Sequence, residues 1–429
     1  MRTYYLISDL HIGGDEALGV CEFEDELIGF LEDLAARKDE DVELIIVGDA
    51  FGLWEFTQVD GPKKLDKVIG QFPRIFDAFR RAGETISITL LAGNHDYELA
   101  CYPKFVGRLA PFNIKLEQSP SITRPIGKKR LWIEHGSQHD EANRVPEFGD
   151  PYAKPIGYYI TSNVVGTAGE YSERGRHNWL KDIQSVYPTE DIPYWVLSNY
   201  FYKEMSPLLR WIMLPFLLLF GVTLIVVLGA ALETLRITDT NVFLNNALFE
   251  RLGYVGTLLQ LVLGVNLFVS FQLLIFAIPA WLIFRDAKAT AHRFGLILDT
   301  AQLAGEKESA YLDAAAQVFK DNPDVAAFVY GHTHAVSLRR AGKHAVLNTG
   351  TWIKRFEAAK VRFGLLPRVY VPSYRLSCFR VSGEDKKIVV EYSEIAKTPA
   401  QELTWLQRVM VSRRSLKPPD PIPQRTVIS

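Results

Sequence analysis

Apolar residues in this chain fall into short unbroken runs toward its two ends and two very long runs in its middle. Thr3 to Ser8, Val42 to Val47, Thr85 to Leu91, Leu131 to Glu134 and Val325 to Tyr330 read as strands buried on both faces. Phe23, Leu27, Phe30, Leu31 and Leu34 mark one side of an acidic helix, and Phe72, Ile75, Phe76 and Phe79 mark another. Each strand-like run stops at a polar cluster: Asp9-Leu10-His11, Gly48-Asp49, Gly93-Asn94-His95-Asp96, His135-Gly136 and Gly331-His332-Thr333-His334. An α/β sheet places ligands on the loops beyond the carboxyl ends of its strands, so these clusters are expected to build one site.

After His135 the pattern breaks for nearly two hundred residues, roughly the size of an extra domain. Pro146 to Tyr202 is rich in Tyr, Pro, Asn and Gly, with helices expected near Ile156 to Thr167 and Arg176 to Ser185. Trp211 to Leu232 then runs about 22 residues without a charge, enough to cross a bilayer core. Leu252 to Phe284 runs about 33, more than a perpendicular crossing needs, which implies tilt or an interfacial start. Helices that long in a soluble core carry a polar face, and these have none. They predict a hairpin with both soluble halves on one side. Lys203, Arg210, Arg285, Lys288 and Arg293 flank its outer ends, whereas Arg236 and Arg251 share the loop with Glu233, Asp239 and Glu250. That bias puts the soluble part in the cytoplasm, on a plasma or inner membrane. Pro215 and Pro279 are kink positions, and Gln260, Asn266 and Gln272 can bond across the pair or to a second copy, which leaves a homo-oligomer open.

Helices at Lys288 to Leu303 and Lys307 to Phe319 lead back to the last strand and its histidines. Short β-rich runs follow at Ala335 to Arg339, His344 to Leu347, Val369 to Val371, Arg375 to Val381 and Lys387 to Tyr392. Ser412 to Ser429 is basic and proline-rich and reads as a disordered tail. The division expected is 1–145 and 323–398 for the two parts of the soluble domain, 146–205 for a helical insertion, 206–286 for the hairpin, 287–322 for returning helices and 399–429 for the C-terminal segment.

Composition excludes some chemistry. A net charge of -2 argues against a nucleic-acid surface, and three scattered cysteines, Cys21, Cys101 and Cys378, rule out a thiolate zinc site. The clusters offer Asp9, His11, Asp49, Asn94, His135, His332 and His334, a mixed oxygen and nitrogen set that suits Mn, Fe or Zn better than Ca or Mg. One carboxylate, Asp49, can bridge two ions, and two ions about 3.5 to 4 Å apart suit phosphoester hydrolysis.

The ordered blocks Asp-x-His, Gly-Asp, Gly-Asn-His-Asp, His-Gly and Gly-His-x-His make residues 3 to 136 and 325 to 392 resemble the calcineurin-like metallophosphoesterase superfamily. The resemblance implies a two-sheet α/β sandwich flanked by helices, here interrupted by a helical insertion with a transmembrane hairpin. It implies a first ion on Asp9, His11, Asp49 and His334, a second on Asp49, Asn94, His135 and His332, and His95 steadying the phosphate or protonating the leaving oxygen with Asp96 orienting its ring. Gly48-Asp49-Ala50-Phe51-Gly52-Leu53-Trp54 and Gly331-His332-Thr333-His334 are most similar to the UDP-2,3-diacylglucosamine hydrolases of lipid A synthesis, which carry a compact lid where this chain has membrane spans. The hairpin lies between His135 and His332, so its roots should leave near the metal site. A lipid-borne phosphate or pyrophosphate at the cytoplasmic membrane face is the substrate expected, with Mn as the metal. Alternatives are a membrane-held nucleotide phosphodiesterase or nuclease acting on a soluble substrate, and a scaffold that keeps the fold without activity.

Overall fold

The computed structural model describes residues 2–15, 18–37, 41–168, 179–186, 191–238, 247–293, 300–362, 366–384, 387–399, 401–411 and 421–428. Its strands are Thr3–Ile7 (β1), Val42–Ile46 (β2), Ser87–Leu91 (β3), Ile114–Glu117 (β4), Ser121–Ile126 (β5), Lys129–Glu134 (β6), Val325–Tyr330 (β7), Ser337–Ala341 (β8), His344–Asn348 (β9), Arg355–Ala359 (β10), Val369–Ser373 (β11), Leu376–Glu384 (β12), Lys387–Ile395 (β13) and Arg425–Ile428 (β14). The principal helices are Glu24–Ala35 (α1), Pro62–Gln71 (α2), Pro73–Ala82 (α3), Ile156–Ile160 (α4), Ile192–Asn199 (α5), Pro207–Thr234 (α6), Tyr254–Arg293 (α7), Thr300–Asp321 (α8) and Trp405–Met410 (α9).

One sheet runs β14-β13-β12-β1-β2-β3-β4 and the other β5-β6-β7-β9-β8; β10 and β11 form a separate ribbon. Strands β1 to β4 are mutually parallel, as are β6, β7 and β9. Alternation along each strand splits its side chains between two cores. Tyr4, Leu6, Ile45 and Val47 face inward and meet Ile133, Ala327, Val329 and Phe379 between the sheets. Tyr5, Ile7, Leu44 and Ile46 face outward and pack under α1 to α3 against Leu27, Phe76 and Phe79. On the far side, Phe328 and Tyr330 meet Tyr311 and Ala315 of α8. The result is a four-layer sandwich in which every site-bearing strand is covered on both faces.

The insertion leaves after β6 and returns at β7, its direct parallel neighbour. Helix α4 continues through a π-helical turn, Thr161–Val165, whose Val165 packs with Ile183, Val186 and Trp195 in a small core that also takes Leu18 and Tyr370 of the body. The expected helix from Arg176 to Ser185 begins outside the described residues; its end is a 3-10 turn at Ile183–Ser185. Buried Lys354 joins the insertion to the body, with Nζ 2.8 Å from the Glu22 carboxylate, 3.1 Å from Asp182 and 2.6 Å from Glu402.

Helices α6 and α7 are each long and apolar enough to cross a membrane. Among the described residues most of their apolar side chains face outward, including Leu228, Phe268 and Ile283. Asn266 is buried and donates Nδ2–H to the Phe216 carbonyl at 3.0 Å and to Thr223 Oγ1 at 3.1 Å, which makes it the cross-helix bond expected of the polar residues in this pair. The disordered tail needs correction at its end. Arg425–Ile428 pairs with β13 and buries Ile428, because Thr-Val-Ile fits an open sheet edge, and Arg425 meets Glu384 at 2.6 Å. Residues 412–420 of that tail lie outside the described residues.

Candidate metal centre

All seven ligand candidates meet at one end of the sandwich, beyond the carboxyl ends of β1, β2, β3, β6 and β7. Ligand atoms of Asp9, His11 and His334 lie within 4.8 Å of one another, as do those of Asp49, His135 and His332. Between the groups stands Asp49, with Oδ2 3.2 Å from His135 Nε2 and 3.8 Å from His11 Nε2. Asn94 Oδ1 lies 3.1 Å from His135 Nε2 on the same side.

Three observations show that this set fits divalent ions. Asp9 Oδ1 is fully buried without a hydrogen bond, with ring nitrogens of His334 at 3.3 Å and His11 at 3.8 Å. His11 Nε2 and His334 Nε2 point at each other across 3.1 Å. Burial pushes the His334 pKa down to about 4, which keeps its lone pair available at neutral pH. A further ring contact commits His135 Nδ1 to the Val47 carbonyl at 2.9 Å, so Nε2 is the atom turned to the site.

The backbone has been bent to make this convergence. Among the described residues seven non-glycine residues have positive φ, and five of them are Asp9, His11, Asp49, His332 and His334. Such conformations cost about 1–3 kcal/mol each and cluster where function holds them. Two glycines complete the cradle. Gly48 has φ +85°, and a Cβ there would come within 2.3 Å of the His135 ring; a Cβ on Gly93 would come within 2.2 Å of Asp49 Oδ1. Behind the loops, Thr351 Oγ1 donates to the Asp9 carbonyl at 2.8 Å, and Asn348 donates to Thr333 Oγ1 at 2.6 Å. The Asn348-Thr349-Gly350-Thr351-Trp352 stretch thus frames the site without entering it.

His95 lies beside the bridge. Its backbone N–H donates to Asp49 Oδ1 at 2.7 Å, and its ring packs on Trp54 and edge-on to His11, with centroids 4.8 and 4.5 Å apart. Its ring partner differs from the one the family pattern implies. Nδ1 lies 2.8 Å from Glu55 Oε1, whereas Asp96 accepts the Gly93 N–H at 2.6 Å and the Phe51 N–H at 3.2 Å. Asp96 is committed to pinning the loop, so Glu55, not Asp96, orients the ring. Burial opposes a charged imidazole, but Glu55 outweighs it and the His95 pKa stands at about 9. Burial, reinforced by Asp49, pushes Asp96 up to about 7. Burial would raise Asp49 too, yet His135 overrides it and holds that carboxyl far below the usual range.

Glu55 and Asp140, whose Oδ2 lies 3.0 Å from His332 Nε2, are the site-bordering carboxylates that sequence reasoning missed. Glu55 had one visible signal, its place directly after the Gly-Asp-x-Phe-x-x-Trp block. His139 is held by Glu134 at 2.6 Å, and exposed Arg144 makes no side-chain bond to a described residue. His344 bonds the Val325 carbonyl at 2.8 Å; His177 lies outside the described residues, and nothing is described of the His292 side chain.

A family model described as calcineurin-like phosphoesterase matches residues 3–227, more than half the chain. No curated protein matches. Among solved structures, a conserved Streptococcus pneumoniae protein described as a predicted phosphoesterase has 10% identity and TM-score 0.27, with 91% of this chain and 88% of that one covered. A double mutant of Vps29 from Entamoeba histolytica has 9% identity and TM-score 0.28, covering 92% and 93%. A Staphylococcus aureus protein described as a 5′-nucleotidase, in complex with α-ketoglutarate, has 12% identity and TM-score 0.30, covering 95% and 56%. At these scores none of the three carries an argument about substrate or mechanism.

Proposed function

The chain belongs to the calcineurin-like phosphoesterase family, and from that premise we propose that it hydrolyses a phosphoester or pyrophosphate carried by a lipid or lipid-linked nucleotide, at a membrane it spans twice. It is a metal-dependent phosphoester hydrolase. In this reading Asp9, His11, Asp49 and His334 hold one ion, and Asp49, Asn94, His135 and His332 hold the other, manganese being favoured over iron or zinc. The observation that carries the assignment is Asp49 Oδ2, a carboxylate oxygen 3.8 Å from His11 Nε2 and 3.2 Å from His135 Nε2, one from each histidine group.

Two divalent ions bound there would supply the positive charge that a phosphoryl group needs as it is attacked in line. The chain's own groups do the rest. The His95 N–H holds the other oxygen of Asp49 and so fixes which way the bridging carboxylate faces. The His95 ring, clamped between Glu55 and Trp54, is placed to steady the phosphate and to give its proton to the leaving oxygen.

Two features support the membrane and lipid part. Helices α6 and α7 turn apolar side chains outward along their length, and their segment is inserted between the adjacent strands that lead to His135 and His332. The segment leaves the body at the site end, directly after His135, so the site would meet substrates confined to the bilayer plane, where confinement raises their effective concentration. The basic flanks of the hairpin favour the cytoplasmic face.

The test is phosphate or nucleotide release by purified protein with Mn, using mixed-micelle phospholipids, UDP-diacylglucosamine and soluble bis-p-nitrophenyl phosphate in parallel. Turnover confined to lipid substrates and absent in Asp49→Ala is the expected result. Turnover of the soluble ester alone would overturn the lipid reading and reduce the hairpin to an anchor. An Asp49→Ala variant with full metal content and normal turnover would refute the bridge.

A further inference from the structure

From the packing of α8 behind the loops that follow β6 and β7, we infer that Tyr311 is a positioning residue for the second ion: its ring sets the separation of the loops that carry His135 and His332. The inference rests on the reading in which Asp49, Asn94, His135 and His332 hold that ion. It deepens that reading by naming what keeps the two imidazoles in register.

Helix α8 lies on the outer face of the second sheet because Tyr311, Ala315 and Val318 recur on one side of it. Tyr311 is 1% exposed, and Ala315, one turn along, is small enough for the helix to approach β7 closely. The Tyr311 ring stacks on Tyr330, with centroids 4.6 Å apart and planes 11° from parallel. Tyr330 ends β7 and is followed by Gly331 and His332. The same ring lies against Gly136, the residue after His135, so closely that a Cβ there would come within 3.1 Å of Tyr311 Cε1. It also meets the His139 ring edge-on at 5.8 Å, and His139 Nε2 lies 2.6 Å from Oε1 of Glu134, the residue before His135. One side chain thus borders the approach to both ligands.

The two loops are bonded to each other where the Gly331 N–H donates to the His135 carbonyl at 2.9 Å. Tyr311 closes that junction from the outer side of the sheet. Without its ring both loops would border a void and relax toward it. The His135 and His332 rings stand edge to face with centroids 5.3 Å apart, and a ligand set works only when held within about 0.5 Å of its productive geometry. The first group has other backing: Thr351 Oγ1 donates to the Asp9 carbonyl at 2.8 Å, and the His11 N–H donates to the Asp49 carbonyl at 3.0 Å. Loss of the Tyr311 ring should therefore loosen one ion and spare the other, which separates positioning from general packing. Helix α8 is also the first element described after α7, so the chain returning from the hairpin brings the residue that steadies this half of the site.

The test is Mn binding to the full chain in detergent micelles, followed by equilibrium dialysis with elemental analysis and by electron paramagnetic resonance of the bound Mn. The parent should bind two ions and show their exchange coupling, and His332→Ala should give the isolated-ion spectrum of a single tight site. Tyr311→Leu should weaken the second ion by about 10–100-fold, as loss of a supporting partner does, and leave the first as tight as in the parent. Its spectrum should be that of an isolated ion at limiting Mn and become coupled at excess. Tyr311→Phe, which keeps the stacked ring, should bind as the parent does. Parent affinity for both ions in Tyr311→Leu, beside loss of the second in His332→Ala, would overturn the inference alone. Should Tyr311→Leu bind neither ion, Tyr311→Met, a longer side chain that fills the space without stacking, is read in its place, and loss of both ions there too overturns the inference. A His332→Ala variant that keeps both ions would sink the ligand assignment itself, and the inference with it.

Discussion

The sandwich and the hairpin solve opposite problems with the same residue types. In the sandwich, Leu6, Ile45 and Val329 are fully buried, while carboxylates and imidazoles are collected at one end on bent backbone. In the hairpin, Leu228, Phe268 and Ile283 are 62–70% exposed and it is Asn266 that is buried. The difference shows which side chains each region turns outward, and it also says where a polar group matters. In the sandwich a polar side chain at the site is there for chemistry; in the hairpin it holds one helix to another.

That contrast can be broken at three further places. Glu55→Ala should lower kcat by about 10–100-fold, the usual loss when an orienting partner goes, with metal content by elemental analysis intact and Glu55→Gln partly restoring the rate. A full kcat in Glu55→Ala would show that His95 needs no orientation. Lys354→Ala leaves Glu22, Asp182 and Glu402 facing one another with only the more exposed Lys181, 3.5 Å from Glu22 and 3.7 Å from Glu402, beside them. It should cost about 3–5 kcal/mol, read as a lower Tm or urea midpoint of the soluble body. No change would mean that the insertion is held by its apolar core alone. Asn266→Leu is the smallest expected effect, about 0.6 kcal/mol of helix pairing in detergent. A shift as large as that of Lys354→Ala would make the hairpin as dependent on polar contacts as the body is.

Legibility in the sequence divides along the same line. Strands β1, β2, β3, β6 and β7 are readable because a strand covered on both faces must be apolar throughout, and the clusters beyond them are readable because each interrupts such a run. The spans are readable for the same reason over greater length. Glu55 and Asp140 are not, since a lone carboxylate in a loop carries no period and its partner, His95 or His332, is chosen by tertiary packing. Asp96 is misassigned for a related reason: adjacency in the chain suggests a ring contact, while the turn sends its carboxylate to the amides of Gly93 and Phe51. Strand β14 escapes because its few alternating residues come after a proline-rich stretch and form a strand only where β13 offers an edge.

Strands β6 and β7 are immediate neighbours in the sheet, yet about 190 residues of chain, α6 and α7 included, are synthesised between them. At ribosomal rates of about 5–20 residues per second that is a delay of about 10 to 40 s. During it, His135 and everything before it has emerged, while His332 and His334 do not yet exist. The nascent chain therefore has five of its seven ligand candidates until its hairpin has been synthesised. Assembly order leaves the metal site incomplete until the segment that carries α6 and α7 has been made.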